Sequence, residues 1–188
     1  MTNSKNVAVL VGSLRKGSLN RKMAMALQAI APEGLKLEIV EIGGLAHFNQ
    51  DDEASPSPAT TAFKKKIAGV DAVLFVTPEY NRSVPGVLKN AIDVGSRPYG
   101  QSAWNAKPAA VISLSPSGIG GFGANHHLRQ SLVFLNMPTL TQPEAYIGGA
   151  ADLFDDAGGL KKPETRKFLD QFLAAFAQWI EKTGASST

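Results

Sequence analysis

Short, continuously apolar runs alternate along this chain with stripes of helical period, and that alternation restricts the fold more than any other feature. The runs, rich in β-branched residues, lie at 7–11, 35–42, 72–77, 109–115 and, more weakly, 139–146. Between them, 20–31 sets Met23, Ala24, Leu27, Ile30 and Ala31 on one face and stops at Pro32 and Gly34. The stretch 59–68 carries Phe63 and Ile67 and closes at Gly69, and 85–94 carries Val87, Leu88, Ala91 and Ile92. For the latter, Ser83 reads as an N-cap and Gly95 as the stop. Leu128, Leu132 and Leu135 mark a helix over 125–135, and a stripe from Phe168 to Ile180 marks one over 164–182. Strands alternating with helices are βα units, which predict a parallel sheet covered by helices on both faces.

The chain has 188 residues, 44% of them hydrophobic and 19% charged. That balance supports a single domain over 1–188 with a sizeable core and excludes a disordered chain. The absence of cysteine excludes a disulfide frame, a thiolate nucleophile, an Fe–S cluster and a Cys-ligated zinc, and it predicts a reducing, cytoplasmic setting. Residues 1–6 lack a signal pattern and the apolar run at 7–11 is too short for a membrane span, so no membrane association is expected. Nineteen Lys and Arg against 16 Asp and Glu leave a net +3, short of the excess that a nucleic-acid partner calls for. Its placement is uneven. No acidic residue occurs between Asp93 and Glu144, while Arg97, Lys107 and Arg129 fall inside that stretch, which predicts a local basic rim for an anion.

In an open α/β sheet, ligands bind beyond the carboxyl ends of the strands. Three loops leave such ends and differ from ordinary connectors. The first, 12–20, reads Gly-Ser-Leu-Arg-Lys-Gly-Ser-Leu-Asn. Its glycines permit tight turns, Ser13, Ser18 and Asn20 supply polar groups, Arg15 can fork onto phosphate oxygens, and a helix N-terminus stands behind. The P-loop lysine is missing, which argues against triphosphate hydrolysis. The second loop, 77–86, places Glu79, Tyr80, Asn81 and Arg82 between two prolines, a composition suited to a flat heterocycle. The third, 113–123, offers four glycines and three serines, so its backbone can approach a ligand closely. Each loop alone reads equally well as a flexible connector, a rigid surface turn or a mobile glycine segment; the three together are the signal.

Other chemistry is scarce. No Gly-x-Ser-x-Gly elbow or evident triad is present, and adjacent His126 and His127 point about 100° apart on a helix, too far to chelate one metal. His47 reads as an ordinary loop residue, Trp104 and Trp179 as packing residues, and Lys64-Lys65-Lys66 as a solvated helix face. Redox or transfer chemistry would then rest on a bound organic cofactor. A mononucleotide of the size of FMN suits the loops, with its phosphate on the first and its ring against the second.

The stretch 12–20 together with 78–86 and Lys89-Asn-Ala-Ile-Asp93 resembles the bacterial NAD(P)H-dependent FMN reductase family, nearest its chromate and quinone reductases. The likeness runs to about Gly149 and includes His127-Leu-Arg-Gln130. It implies a flavodoxin-like α/β fold, a doubly wound five-stranded parallel sheet of order 2-1-3-4-5, and tightly held FMN with NADPH or NADH as donor. Residues matching the family's phosphate ligands are Ser13, Arg15, Ser18, Leu19 and Asn20. Those matching its ring contacts are Pro78, Glu79, Tyr80, Asn81 and Ser83, with Ser115 and neighbouring glycines such as Gly118 on the other side. The resemblance also implies a homodimer or homotetramer and ping-pong reduction of small acceptors: quinones, flavins, chromate, azo or nitro compounds. Arg82 and Arg97 are candidates for attracting the donor's phosphates or an anionic acceptor. No catalytic side chain and no metal is expected. Two other readings remain open: a flavodoxin-like electron carrier, and a reductase that releases FMN as its product.

Overall fold

The computed structural model describes residues 4–184. Five parallel strands, β1 (Lys5–Val11), β2 (Leu35–Val40), β3 (Ala72–Thr77), β4 (Ala109–Leu114) and β5 (Ala145–Ile147), form one sheet in the order 2-1-3-4-5. Helices α1 (Leu19–Ile30), α2 (Pro58–Ala68), α3 (Gly86–Ser96), α4 (Phe122–Phe134) and α5 (Pro163–Gly184) connect and follow them. β3 and β4 are buried at every position, which is why they read as unbroken apolar runs.

Each face of the sheet has its own core. Met23 and Leu27 of α1 pack with Phe172 and Phe176 of α5 against Val7, Val9, Leu74 and Ile112. On the other face, Ile67 of α2, Leu88 and Ile92 of α3, and Leu128 and Leu132 of α4 cover Ala8, Leu10, Phe75 and Val111. Alternate residues of β1 therefore serve opposite layers, as the two-residue repeat of a strand requires.

Several boundaries differ from expectation for identifiable reasons. β5 has only three residues. Pro138 and Pro143 carry no N–H, and upstream only an isolated bridge between Ala109 and Thr139 forms. Ser83 does not cap α3; Pro85 holds that position without a side-chain bond, and Ser83 belongs to a turn described below. Gly95 does not stop α3 either, but lies inside it. A Cβ at Gly95 would meet the Trp104 indole at 2.5 Å, so the glycine makes room for that ring. Trp104 is fully buried, donates from Nε1 to the Ile92 carbonyl at 2.8 Å and meets Phe63 edge-on at 6.0 Å. Trp179 is only half-buried, its indole N–H held by the Pro138 carbonyl at 2.8 Å.

The lysine run is not a uniformly solvated face. Lys66 pairs with Glu38 at 2.6 Å, Lys64 donates to the Arg97 carbonyl, and Lys65 alone is exposed. No helix among the described residues is long and apolar enough to cross a membrane. Replacing Gly95 by Ala should lower stability by about 1–2 kcal/mol, because overpacking against Trp104 outweighs alanine's better helix propensity. Urea unfolding of the two proteins measures it, and an equal or higher midpoint for the variant would show that the indole can move aside.

Candidate cofactor site

β1 and β3 are neighbours, yet the helices that follow them pack on opposite faces of the sheet. Their loops must part at the carboxyl edge, and a crevice opens there. Gly12, Ser13, Leu14 and Arg15 line one wall and Tyr80, Pro85, Gly86 and Val87 the other, around a cleft of about 430 Å³. That volume is within the range of small-molecule sites. Gly12 fixes how closely the walls approach at the base: a Cβ there would stand 2.9 Å from Thr77 Oγ1 and 3.1 Å from Pro78.

The first wall ends in a helix start. Ser18 is extended, and its buried hydroxyl accepts from the Arg21 amide at 3.1 Å, the ordinary N-cap bond. Ser13 and Asn20 are buried as well. The Asn20 Oδ1 has no hydrogen-bond partner within the chain, an unusual state for a buried polar atom. Beside it, the exposed loop carries Arg15 and Lys16, neither of which is in an ion pair among the described residues. The helix N-terminus and unpaired Arg15 supply donors for a phosphate ester, while the buried Asn20 Oδ1, an acceptor, is left for a ligand hydroxyl.

The second wall is a miniature hairpin. Tyr80 and Ser83 exchange backbone bonds of 3.1 and 3.0 Å, and between them Asn81 and Arg82 have φ of 51° and 63°. Positive φ at both central positions is the type I′ signature. The turn is anchored from outside. α4 has Gly121, a left-handed residue without a side chain, at its N-cap, and the carboxylate of Glu79 takes over that role by accepting from the Ala124 amide at 3.0 Å. Gly123 allows the approach, since a Cβ there would fall 2.9 Å from the carboxylate and 3.0 Å from the Arg82 carbonyl. Ser83 Oγ and His127 Nδ1 meet at 3.0 Å and add a second tie. The Glu79 carboxylate braces the turn, and Tyr80 stands half exposed at the cleft.

The third loop is held by the chain around it. A Cβ at Gly120 would lie 2.6 Å from the Tyr146 backbone, and one at Gly148 would lie 2.7 Å from the Gly118 carbonyl. Ser115 Oγ caps the Ser117 amide at 3.2 Å, and Gly118 is exposed at the tip. Beneath, fully buried Asn125 donates to Ser113 Oγ at 3.2 Å and accepts from Arg129 Nε at 2.8 Å. Arg129 also reaches the Leu140 carbonyl at 2.8 Å. Beside this network, His126 Nε2 lies 2.9 Å from the Tyr146 hydroxyl, whose pKa is pushed up to about 12 by burial and by hydrogen bonding with Glu144.

The acid-free stretch does not supply a basic rim. Arg129 is tied into the fold, and Lys107 donates to the Val70 carbonyl at 2.8 Å, its pKa lowered by burial. Arg97 follows the far end of α3, about 16 Å along the helix from Gly86 at 1.5 Å per residue. There it borders a separate cleft of about 280 Å³ with Phe48 and Lys64, and its guanidinium holds Glu53 at 2.6 Å. Of the two candidate arginines, Arg82 lies on the turn that adjoins the cleft, exposed and 3.5 Å from Glu79. Arg15 is the cation that lines this cleft, and it lies outside the acid-free run; Lys16 borders a separate cleft with Arg21 and Arg166. Asn125, Gly123 and His127 were not singled out as site-forming residues; an Asn and a His among apolar positions of a helix give no sign of what they face.

Known proteins match this arrangement. The family model for NADPH-dependent FMN reductase matches residues 5–152. The chain belongs to that family. A quinone reductase of Pseudomonas putida is 63% identical over 182 residues, covering 96% of this chain and 97% of that one. A 2-hydroxy-1,4-benzoquinone reductase of Burkholderia sp is 44% identical over 174 residues, covering 93% and 95%. Among solved structures, the flavoenzyme NAD(P)H:(acceptor) oxidoreductase FerB from Paracoccus denitrificans superposes with a TM-score of 0.90 at 46% identity, covering 95% and 98%. The chain is thus an oxidoreductase that uses FMN and NAD(P)H, and the seat described above has the donors and dimensions for the mononucleotide. Replacing Glu79 by Ala should cost about 1 kcal/mol of stability through loss of the α4 cap, read by thermal unfolding of the flavin-free protein. An unchanged melting temperature would mean that water caps the helix as well.

Proposed function

We propose that this protein is an NAD(P)H-dependent quinone reductase with resident FMN, in which donor and acceptor take turns in the cleft between the 12–18 and 77–86 loops. The observation that carries the reading is the cleft at the carboxyl edge of the sheet, with Arg15 and a helix N-terminus on one wall and a preformed turn on the other. Ser13, Arg15, Ser18, Leu19 and Asn20 are the phosphate side of the seat. Pro78, Tyr80, Asn81 and Ser83 form one wall for the ring, with Glu79 acting through its brace, and Ser115 and Gly118 the opposite wall. FMN held by these residues would supply the redox chemistry, hydride uptake from NAD(P)H and two-electron reduction of an acceptor.

The chain's own part is to bind and orient. The type I′ turn and its two ties to α4 preorganise the ring wall before any ligand arrives, so little conformational freedom is lost on binding. Exposed Tyr80, Ile119 and Phe122 offer apolar and aromatic area at the rim for a planar acceptor. Arg82, at the tip of the turn, is placed to meet a donor phosphate or an anionic acceptor. Quinones are the preferred acceptor class by likeness to the named relatives; flavins, chromate, azo and nitro compounds are further candidates for the same opening. We also propose self-association: Val133 and Phe134 at the end of α4 are 76% and 87% exposed, and Tyr99 nearby in sequence to α3 is 87% exposed.

Steady-state oxidation of NADH and NADPH by the purified protein across an acceptor panel tests the reading. Retained yellow colour with turnover on benzoquinones supports it. Yellow protein inert to both donors would point to an electron carrier, and colourless protein that turns over added FMN to a flavin-releasing reductase. Arg15→Ala should weaken FMN binding about tenfold, the loss of one charge-assisted hydrogen bond, in a fluorescence titration. Arg82→Ala should raise KM for NADPH more than for NADH, whereas Arg97→Ala should leave both near wild type. Equal KM changes for both donors in the Arg82 variant would remove the arginine from donor recognition.

A further inference from the structure

The wall of the cleft that contains Ser83 is tied to α4 by an imidazole rather than by main chain alone. Ser83 Oγ and His127 Nδ1 lie 3.0 Å apart, across a loop and a helix 44 residues apart in the chain. We propose that His127 is a positioning residue of the cofactor site, setting through the Ser83 hydroxyl whether that wall offers the ligand a hydrogen-bond donor or an acceptor. This rests on the reading of the 77–86 loop as the ring wall.

The chemistry follows from one proton shared between two groups. A serine hydroxyl has one hydrogen and two lone pairs, and a neutral imidazole has one bare nitrogen and one N–H. When Nδ1 is bare, the Ser83 O–H donates to it and only oxygen lone pairs remain for a ligand. When Nδ1 carries a proton, as the other tautomer or as imidazolium, His127 donates and the Ser83 hydrogen becomes available to the cleft. The edge of an isoalloxazine ring presents both carbonyl acceptors and an N–H, so the polarity of one hydroxyl changes how well the ring is held.

The surroundings leave the imidazole in control of the hydroxyl. From the 77–86 loop, the Glu79 carboxylate is engaged by the Ala124 amide and lies 3.5 Å from Arg82. On α4 itself, His126 turns to Tyr146, Arg129 holds Asn125 and Leu140, and Ser131 bonds the His127 carbonyl rather than its ring. On α3, which shares a groove with α4, Lys89 and Asp93 pair with each other at 2.8 Å. Among the described residues His127 takes part in no ion pair, and Ser83 is its side-chain partner.

The test uses the FMN-loaded protein with four replacements: His127→Asn, His127→Phe, Ser83→Ala and the double variant Ser83→Ala/His127→Phe. His127 is exposed, so these changes leave the cores intact. The visible band of bound FMN and its Kd in the wild type are the reference. His127→Asn keeps an amide beside Ser83 that can donate or accept, and should hold FMN within a few-fold of wild type with the visible band in place. His127→Phe and Ser83→Ala should each weaken FMN about tenfold, as one lost hydrogen bond does, with the double variant no weaker than either single one. A His127→Asn variant that binds FMN as weakly as His127→Phe, or losses that multiply in the double variant, would overturn the proposal while leaving the flavin site standing. A wild type that retains no FMN would overturn the flavin reading and this proposal with it.

Discussion

The parallel pairing of β1 with β3 is the constraint on which the rest of the molecule depends. Because these neighbours send α1 and α3 to opposite faces, no chain crosses the gap between their carboxyl ends, and the gap stays open. Both strands are buried and bordered by partners on each side, so the floor of the cleft is the most rigid part of the fold. A flexible floor would give the loops no common reference. Here each loop departs from a strand whose position is set by two ladders of backbone hydrogen bonds and by apolar layers above and below.

The loops are then secured by devices that replace side-chain bulk with close approach. Gly12 brings the first loop against Thr77 and Pro78, and Gly123 admits the Glu79 carboxylate to the start of α4. In the second case one carboxylate does two things at once: it satisfies a helix amide that Gly121 cannot cap and it holds a turn containing two left-handed residues. A non-glycine residue such as Arg82 at positive φ costs about 1–2 kcal/mol, and it persists because the bridge and the brace over-determine the turn. Strain of this kind beside a ligand cleft fits a wall built to keep one shape.

Much of this was legible in the sequence. The order of elements, the burial of β3 and β4, and the clustering of three unusual loops at strand ends all follow from local patterns that the fold respects. What escaped notice was long-range. Gly95 looked like a helix stop because a glycine's local signal is the same whether it ends a helix or clears space for an indole. Ser83 looked like a cap because its partner, His127, lies in another element. The acid-free stretch looked like a basic rim, but Lys107 and Arg129 turn inward to carbonyls and Arg97 to Glu53. Charge counted along a chain does not say which cations the fold itself consumes.

The third loop has a consequence for how such a site can diversify. Around Gly118, Gly120 and Gly148 the chain runs backbone against backbone, with no room for a side chain at 120 or 148. A wall of main chain presents the same amides and carbonyls whatever residues flank it, so it is nearly blind to substitution. Variation is open instead at exposed side chains, Ile119 in the same loop and Tyr80 on the facing turn, whereas Phe122 packs on His126 and Tyr146 and Arg82 pairs with Glu79. The molecule thus sets main-chain segments that cannot accept a side chain beside exposed positions that can.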